Sequence, residues 1–540
     1  MEMNAEKKPA YEMNSYGSDR ISNLPDSIRQ QILLFLETRE AVRTSILSSR
    51  WRALSESLPS LHLNDSCCYR RLSGGEDDAL KAMETPLSLR TNLYAFLDRA
   101  MKSGMDINKL NLCLIYFDPE LESRLDGWLA SAVTRHVKEL ELKICGRVHR
   151  TYSFPEDVLV SKVIQKLKLV NCKLSSPLLV DGQLLCLREI FLARVTADNA
   201  CMKILLASCP YLEILTLKDC YGLARLEIYC LMKLEKVVFE YHGREVQVVK
   251  IQAPNLRELS IVSDGDIESE FDFGSCKKLK VLEIDGCLLD DKDLANFLNN
   301  HPILERLVVK TCPMLHHVEV SSQNLLELVF GDCECLEKVI IDAPNLKFFF
   351  YDGENPITLA CKGPPLKLKE ASIIFNSFYQ LWFHDVLKSL SRLRWTERLS
   401  LQVANDEDVI IPESVRMNYN PPLYAVKHLM IKFREKLEHP AQVIESLLWL
   451  APHPETICIF NSKNSARKEL KFTYQQPLTD KKCCCCEDLP VNCWRHSLVE
   501  VCIENIQGYG DDTELEAFFH KERIDAKIKF SSKYISSYSK

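Results

Sequence analysis

Leu212-Glu-Ile-Leu215-Thr-Leu217-Lys-Asp-Cys220 is the stretch whose reading decides how most of this chain folds. Its pattern is apolar-x-x-Leu-x-Leu followed by x-x-Cys. The same pattern runs through Val137-Lys-Glu-Leu140-Glu-Leu142, Ile164-Gln-Lys-Leu167-Lys-Leu169-Val-Asn-Cys172 and Leu187-Arg-Glu-Ile190-Phe-Leu192. It restarts at Leu234, Leu256, Leu279, Leu304, Leu325 and Leu346, three of these units ending at Cys287, Cys312 and Cys333. From Leu212 onward the restarts are 21 to 25 residues apart. A fixed period of this size is the mark of stacked supersecondary units that share one core. Alternate residues of a short strand point to opposite faces. The leucines therefore enter a core shared with the next unit, the residues between them face outward, and the small cysteine fills the turn after the strand.

This period belongs to leucine-rich repeats. The fold class expected is α/β: a three-helix N-terminal module followed by a leucine-rich-repeat solenoid, a curved parallel sheet with helices and loops on its convex side. The array is expected over residues 133–475. Beyond Leu366 it loosens to units of about 30 residues around Leu399, Leu429 and Ile457, with helical stretches at 377–393 and 440–450 between them. The strand register also picks out a concave row in which Val308, Val329 and Phe350 stand side by side, with Lys310 and Asp352 in the next row outward. This row is expected to be an exposed apolar strip where a partner protein binds. Residues 61–132 are expected to be a polar linker, then helix, strand and helix capping the array.

Asp19 to Leu58 does not repeat: DRISNLPDSIRQQILLFLETREAVRTSILSSRWRALSESL. Pro25 suits the first turn of a helix. Ile28, Ile32, Leu33 and Leu36 follow at helical spacing and read as one apolar face. Thr38 and Ser48 read as N-caps of two further helices. Three helices this short cannot bury their apolar surface alone. Leu24-Pro25-Asp26, Ile32-Leu33, Phe35-Leu36, Glu40 to Ser45 and Leu47 to Arg52 together resemble an F-box, here residues 19–60, of the plant type that precedes leucine-rich repeats. Glu37 and Ser49 depart from the usual plant pattern. The resemblance implies docking on the Skp-family adaptor of a cullin–RING ubiquitin ligase through residues among Leu24, Pro25, Ile28, Ile32, Leu33, Leu36, Val42, Leu47 and Trp51. Some of these must instead form the three-helix core, and the sequence alone does not sort the two groups.

At the other end, Cys493-Trp494-Arg495-His496-Ser497-Leu498-Val499-Glu500-Val501 opens a strand, and Glu514 to Phe519 reads as a helix. That order resembles the FBD module of many plant F-box/leucine-rich-repeat proteins, here residues 476–530. Residues 1–18 read as a disordered leader and 531–540 as a frayed tail.

The chain of 540 residues is 46% hydrophobic, enough for a sizeable core, and its net charge of −7 lacks the basic footprint of a nucleic-acid binder. No apolar run is long enough to cross a bilayer, and the polar N-terminus has no secretory h-region. The expected location is the nucleus, the cytoplasm or both, with the 23 cysteines mostly free thiols. No phosphate-cradling loop, Gly-x-Ser-x-Gly elbow or His-Glu-x-x-His is present. Asp290 to Asp293 read as a helix cap. In Cys483 to Cys486, with Cys493 and His496 beyond, adjacent cysteines cannot all point at one ion, so neither a metal nor any other cofactor is expected. The function implied is a non-catalytic substrate-recruiting subunit, bridging the adaptor and an unknown protein target. Two rivals are a repeat scaffold outside degradation and a small-molecule receptor using the concave face.

Overall fold

The computed structural model describes residues 21–533 except 22–23, 37, 45–46, 65–86, 104–105, 115–118, 146–150, 176–183, 244–245, 265–269, 354–356, 364–365, 376–382, 436, 464–465, 476–493, 507–512 and 523–526. The leader, the Cys483 to Cys486 cluster, Cys493 and most of the tail lie outside the described residues. The chain divides into two compact units, Met1–Ala197 and Asp198–Lys540.

In the N-terminal unit three helices, α1 (Asp26–Phe35), α2 (Thr38–Thr44) and α3 (Ser49–Glu56), pack on one another and on the helix Leu87–Lys102. Thr38, read as a cap, is the first residue of α2. Ser48 caps α3, its hydroxyl accepting the Trp51 N–H at 3.2 Å. A parallel ladder follows: Ser60–Asn64, Lys109–Leu114, Glu139–Ile144, Lys166–Val170 and Glu189–Ala193. The repeat ladder thus begins at Ser60, well before residue 133. Leu61, Leu63, Leu110, Leu112 and Leu114 alternate inward in the same way as later leucines, and all are at most 1% exposed.

The C-terminal unit carries a longer parallel ladder, from Ile214–Lys218 through Val281–Asp285, Arg306–Lys310, Glu327–Gly331 and Phe348–Gly353 to Thr456–Asn461. It closes with the antiparallel strands Arg467–Tyr474 and Leu498–Ile506 and a parallel edge strand, Lys527–Lys533. Ser531 is therefore in register with Glu504 and not in a frayed tail. Over this last part the aromatic side chains of Trp494, Phe518 and Phe519 cluster, with ring centroids 5.1 to 5.9 Å apart. Arg495 reaches Glu445 of the helix Pro440–Leu450 at 3.5 Å. Among the described residues no helix is long and apolar enough to cross a membrane.

What lies behind each strand follows from repeat length. Units of 21 to 23 residues, such as those starting at Leu212, Leu234, Leu304 and Leu325, return through a second short strand: Arg225–Tyr229, Val248–Gln252, His317–Ser321 and Lys338–Asp342. These pair into two small parallel back sheets. The unit of 25 residues from Leu279 to Leu304 returns through a helix, Asp291–Asn300, and the longer late units do likewise through Phe383–Leu390 and Pro440–Leu450. The cause is reach. A strand advances about 3.3 Å per residue and a helix about 1.5 Å, so a helix of the same span consumes more chain. The helices and loops expected on the convex side are thus joined there by short return strands.

Several front strands are followed by a left-handed residue. Asn171, Asp219, Gly286, Thr311 and Asp332 have φ of 58°, 50°, 67°, 49° and 49°. The cysteine that follows is buried and returns its thiol to the carbonyl two residues back, as Cys312 does to Lys310 at 3.1 Å and Cys333 to Gly331 at 3.4 Å. Burial pushes the thiols of Cys172 and Cys287 up to about 12 and that of Cys333 up to about 11. Protonated and hydrogen-bonded, they are poor nucleophiles and poor metal ligands, which fits their structural reading. Asparagine side chains add rungs outside the ladder: Asn255, Asn324 and Asn345 donate to the carbonyls of Met232, Pro302 and Gln323 in the preceding unit, at 2.6, 3.0 and 2.8 Å.

Gly286 is the one of these turn positions where a side chain cannot be added, since a Cβ would lie 1.8 Å from the Ser263 carbonyl oxygen. Gly286→Ala should destabilise the unit by about 3 kcal/mol or more, through overpacking added to backbone strain. Thr311, β-branched at positive φ, carries strain without serving the core. Thr311→Asn should raise stability by about 0.5–1 kcal/mol. Thermal melts of both variants check the opposite signs.

His453 is half-buried, its Nε2 3.0 Å from Ser497 Oγ, and burial pushes its pKa down to about 4 from the ordinary 6.5. The unfolded chain then binds the extra proton, so this contribution to stability is complete above about pH 6.5 and is lost as pH falls through about 4. The loss should be on the order of 1–2 kcal/mol for a ring still partly open to solvent. Stability measured against pH should flatten over that window in His453→Phe.

Candidate functional site

The first candidate surface is built on α1. Pro25 precedes the helix, its carbonyl accepting the N–H groups of Ile28 at 3.0 Å and Arg29 at 3.1 Å. The helix then presents two different stripes. Arg29 and Leu33, one turn apart, face inward and are each 1% exposed. The Arg29 guanidinium lies 5.5 Å from the centre of the Trp51 ring, with Asp26 3.7 Å away. Ile28, Ile32 and Phe35, spaced i, i+4, i+7, face outward and are 40%, 36% and 92% exposed. The four apolar residues read from the sequence as one face are therefore divided between core and surface.

The nine residues expected to dock an adaptor sort as follows. Leu33 and Trp51 belong to the core, Trp51 being 3% exposed. Leu24 and Leu36 are half-buried, while Pro25, Ile28, Ile32 and Leu47 are exposed, Leu47 at 68%. The side chain of Val42, like Glu37, lies outside the described residues. Phe35, Leu34 and Ile21 are exposed apolar residues that the docking set omitted. Helical spacing from Ile28 through Ile32 points to Phe35, and a charged residue inside the opposite stripe, Arg29, was the available sign that two faces existed. Glu56 holds the end of α3 to the neighbouring helix by accepting from Arg99 Nε at 2.8 Å.

The second candidate surface is the front of the C-terminal unit. Val308, Val329 and Phe350 are directly paired across adjacent strands, as the register required. The expected exposure is corrected. Val308 is 5% and Val329 8% exposed, and Phe350 is half-buried. Strands only about 4.8 Å apart shield a short side chain between longer neighbours. Here Arg306, beside Val308, reaches Glu283 and Glu327 at 3.5 Å each. What remains open is Phe350 with Phe348 on the same strand, both half-buried, exposed Lys310 and half-buried Asp352. Lys310 lies along Gly331, where a Cβ would meet its Cγ at 3.2 Å. On earlier strands this face is charged and paired, as in Lys236–Glu258 at 2.8 Å and Lys218–Glu240 at 2.5 Å.

Other clusters have structural explanations. Asp290 forms a capping box with Asp293, and the Asp291 carboxylate accepts the N–H groups of His316 and His317 at 2.9 and 3.0 Å, as a cap and not a metal site. Asp219, Glu240 and His242 converge, but Asp219 is engaged by His242 at 2.5 Å and Glu240 by Lys218 at 2.5 Å. His496 sits half-buried in a short 3-10 turn, Trp494–His496. The apolar cavity between the helix Phe383–Leu390 and the strands around Leu401 holds about 20 Å³, room for one water-sized sphere and far below a ligand pocket.

Comparison with known proteins agrees with this architecture. The family model described as At1g61320/AtMIF1, LRR domain, matches residues 97–268 and 262–489, and the F-box domain model matches residues 21–63. Relatives in Arabidopsis thaliana include the F-box/LRR-repeat protein At3g18150, 29% identical over 49% of this chain and 52% of its own length. The F-box/FBD/LRR-repeat protein At4g03220 is 30% identical over 44% of this chain and 50% of its own, and At5g44950, of the same description, is 27% identical over 60% and 79%. The chain thus spans about half the length of the first two. Among solved structures, a crystal structure of a TLR13–ssRNA13 complex aligns over 69% of this chain and 61% of its own at 14% identity, with a TM-score of 0.30, too loose to carry an argument. Two-faced helices ahead of a ladder of leucine-lined strands, matched over most of their length by these two models, place the chain among the F-box/leucine-rich-repeat proteins.

Proposed function

We propose that this protein is the substrate-recognition subunit of a cullin–RING ubiquitin ligase, docking on a Skp-family adaptor through its F-box and holding a target protein on its repeats. The observation that carries the reading is the outward stripe of Ile28, Ile32 and Phe35, with Leu47 beside the turn into α3. Exposed isoleucines and a phenylalanine 92% open to solvent are costly on a surface unless a partner covers them. The chain itself makes and breaks no bond in this reading. Its contribution is proximity, raising the local concentration of target lysines at the ligase. The front of the C-terminal unit around Phe350 and Lys310 is the proposed target contact, an apolar centre with a charged rim.

The Phe35→Asp/Leu47→Asp double variant should keep its melting temperature and lose adaptor affinity by at least roughly tenfold. Leu33→Ala should instead destabilise the N-terminal helices by about 2–5 kcal/mol. Co-purification with adaptor, read beside a thermal melt, separates the two effects, and full adaptor binding by the double variant would sink the docking assignment. Phe350→Ser with Lys310→Glu should leave adaptor binding intact and abolish labelling of the target proteins seen with the wild type in proximity-labelling experiments.

A further inference from the structure

Cys113 and Cys145 bring their sulfurs to 3.8 Å from one another. Both side chains are half-buried. Cys113 lies on the strand Lys109–Leu114, in register with Lys143 of the strand Glu139–Ile144. Cys145 follows that second strand directly, and its N–H donates to the Leu114 carbonyl at 2.6 Å. The main-chain ladder therefore holds the two thiols at neighbouring strand ends. Nothing in the adaptor or target reading uses them. They also differ in burial from the turn cysteines Cys287, Cys312 and Cys333, whose thiols are shut in the core.

We propose that Cys113 and Cys145 form a peroxide-oxidisable pair that closes to an intramolecular disulfide across the N-terminal strands. In the first step the thiolate of one cysteine attacks hydrogen peroxide. The O–O bond breaks, the sulfur becomes a sulfenic acid and one water leaves. In the second step the other sulfur attacks the sulfenic sulfur, the S–S bond forms, and the hydroxyl departs as a second water with that thiol's proton. Two thiols are oxidised and one peroxide is reduced. Closure requires the sulfurs to move from 3.8 Å to about 2.05 Å, a shift taken up by side-chain rotation at the ends of the two strands. The bridge would tie residue 113 to residue 145 and so restrict the unfolded chain between them. It would also remake the front surface beside Asn111 and Glu141, which are joined by a 2.8 Å hydrogen bond.

The test uses the full reduced chain exposed to limiting hydrogen peroxide, alkylated, digested and weighed peptide by peptide. The expected result is a cross-linked pair of peptides carrying Cys113 and Cys145, lighter by two hydrogens, released by dithiothreitol. It should form at least tenfold faster than any other cysteine pair, while Cys287, Cys312 and Cys333 remain reduced. The melting temperature of the wild type should rise on oxidation by several degrees, and that of Cys113→Ser or Cys145→Ser should not. The wild-type peptide map decides the matter even if a serine variant folds poorly. Separate sulfenic or sulfinic products at the two positions without a bridge, or cross-links of either cysteine to others at a comparable rate, would overturn the proposal.

Discussion

Every unit of this chain depends on one constraint: a strand must lie within hydrogen-bonding distance of the strand before it, in a register that sends its leucines to the same side. The main-chain ladder enforces this from Ile214 to Asn461 without a slip. Leu215, Val237, Leu259, Leu282, Leu307 and Leu328 are each at most 1% exposed. No unit could bury these side chains alone, so each is stable only through its neighbours. The turns serve the same end. At Asp219, Gly286, Thr311 and Asp332 a left-handed residue reverses the chain, and the small buried cysteine after it fills the corner without demanding space from the next strand.

The N-terminal helices have a different solution to the same shortage of core. They lean on the helix Leu87–Lys102, which belongs to the first long repeat, and they place a whole arginine inside. Arg29 fills volume under Trp51 that an aliphatic residue would otherwise occupy, while its charge is met by Asp26. Asp26 is itself held by Arg50 at 2.7 Å. The apolar residues left over from this arrangement are the ones that face solvent.

Much of the fold was legible in the sequence because it is local and periodic. Leucines at fixed offsets gave strands, inward faces and neighbour relations, including the alignment of Val308, Val329 and Phe350. Resemblance to the F-box identified the helices. What the sequence could not reveal were quantities set by neighbours. The burial of Val308 depends on the reach of Arg306 and on how closely strands sit. The division of α1 depends on Arg29 choosing the interior, against the ordinary preference of its side chain. The start of the ladder at Ser60 was hidden by the long interval before Lys109, which masks the period. Ser531 was read as tail from its polar composition, yet its pairing with Glu504 is made by the main chain, to which composition is a poor guide.

The dependence of the back element on unit length bears on how such a protein diversifies. Two or three residues gained or lost behind a strand exchange a return strand for a helix, while the strand itself keeps its place against both neighbours. Insertions on the back are therefore silent at the front, and the two sides of the array are free to drift at different speeds. The back can exchange one element for another while the front keeps its register, and a row of front side chains can change while the back keeps its packing.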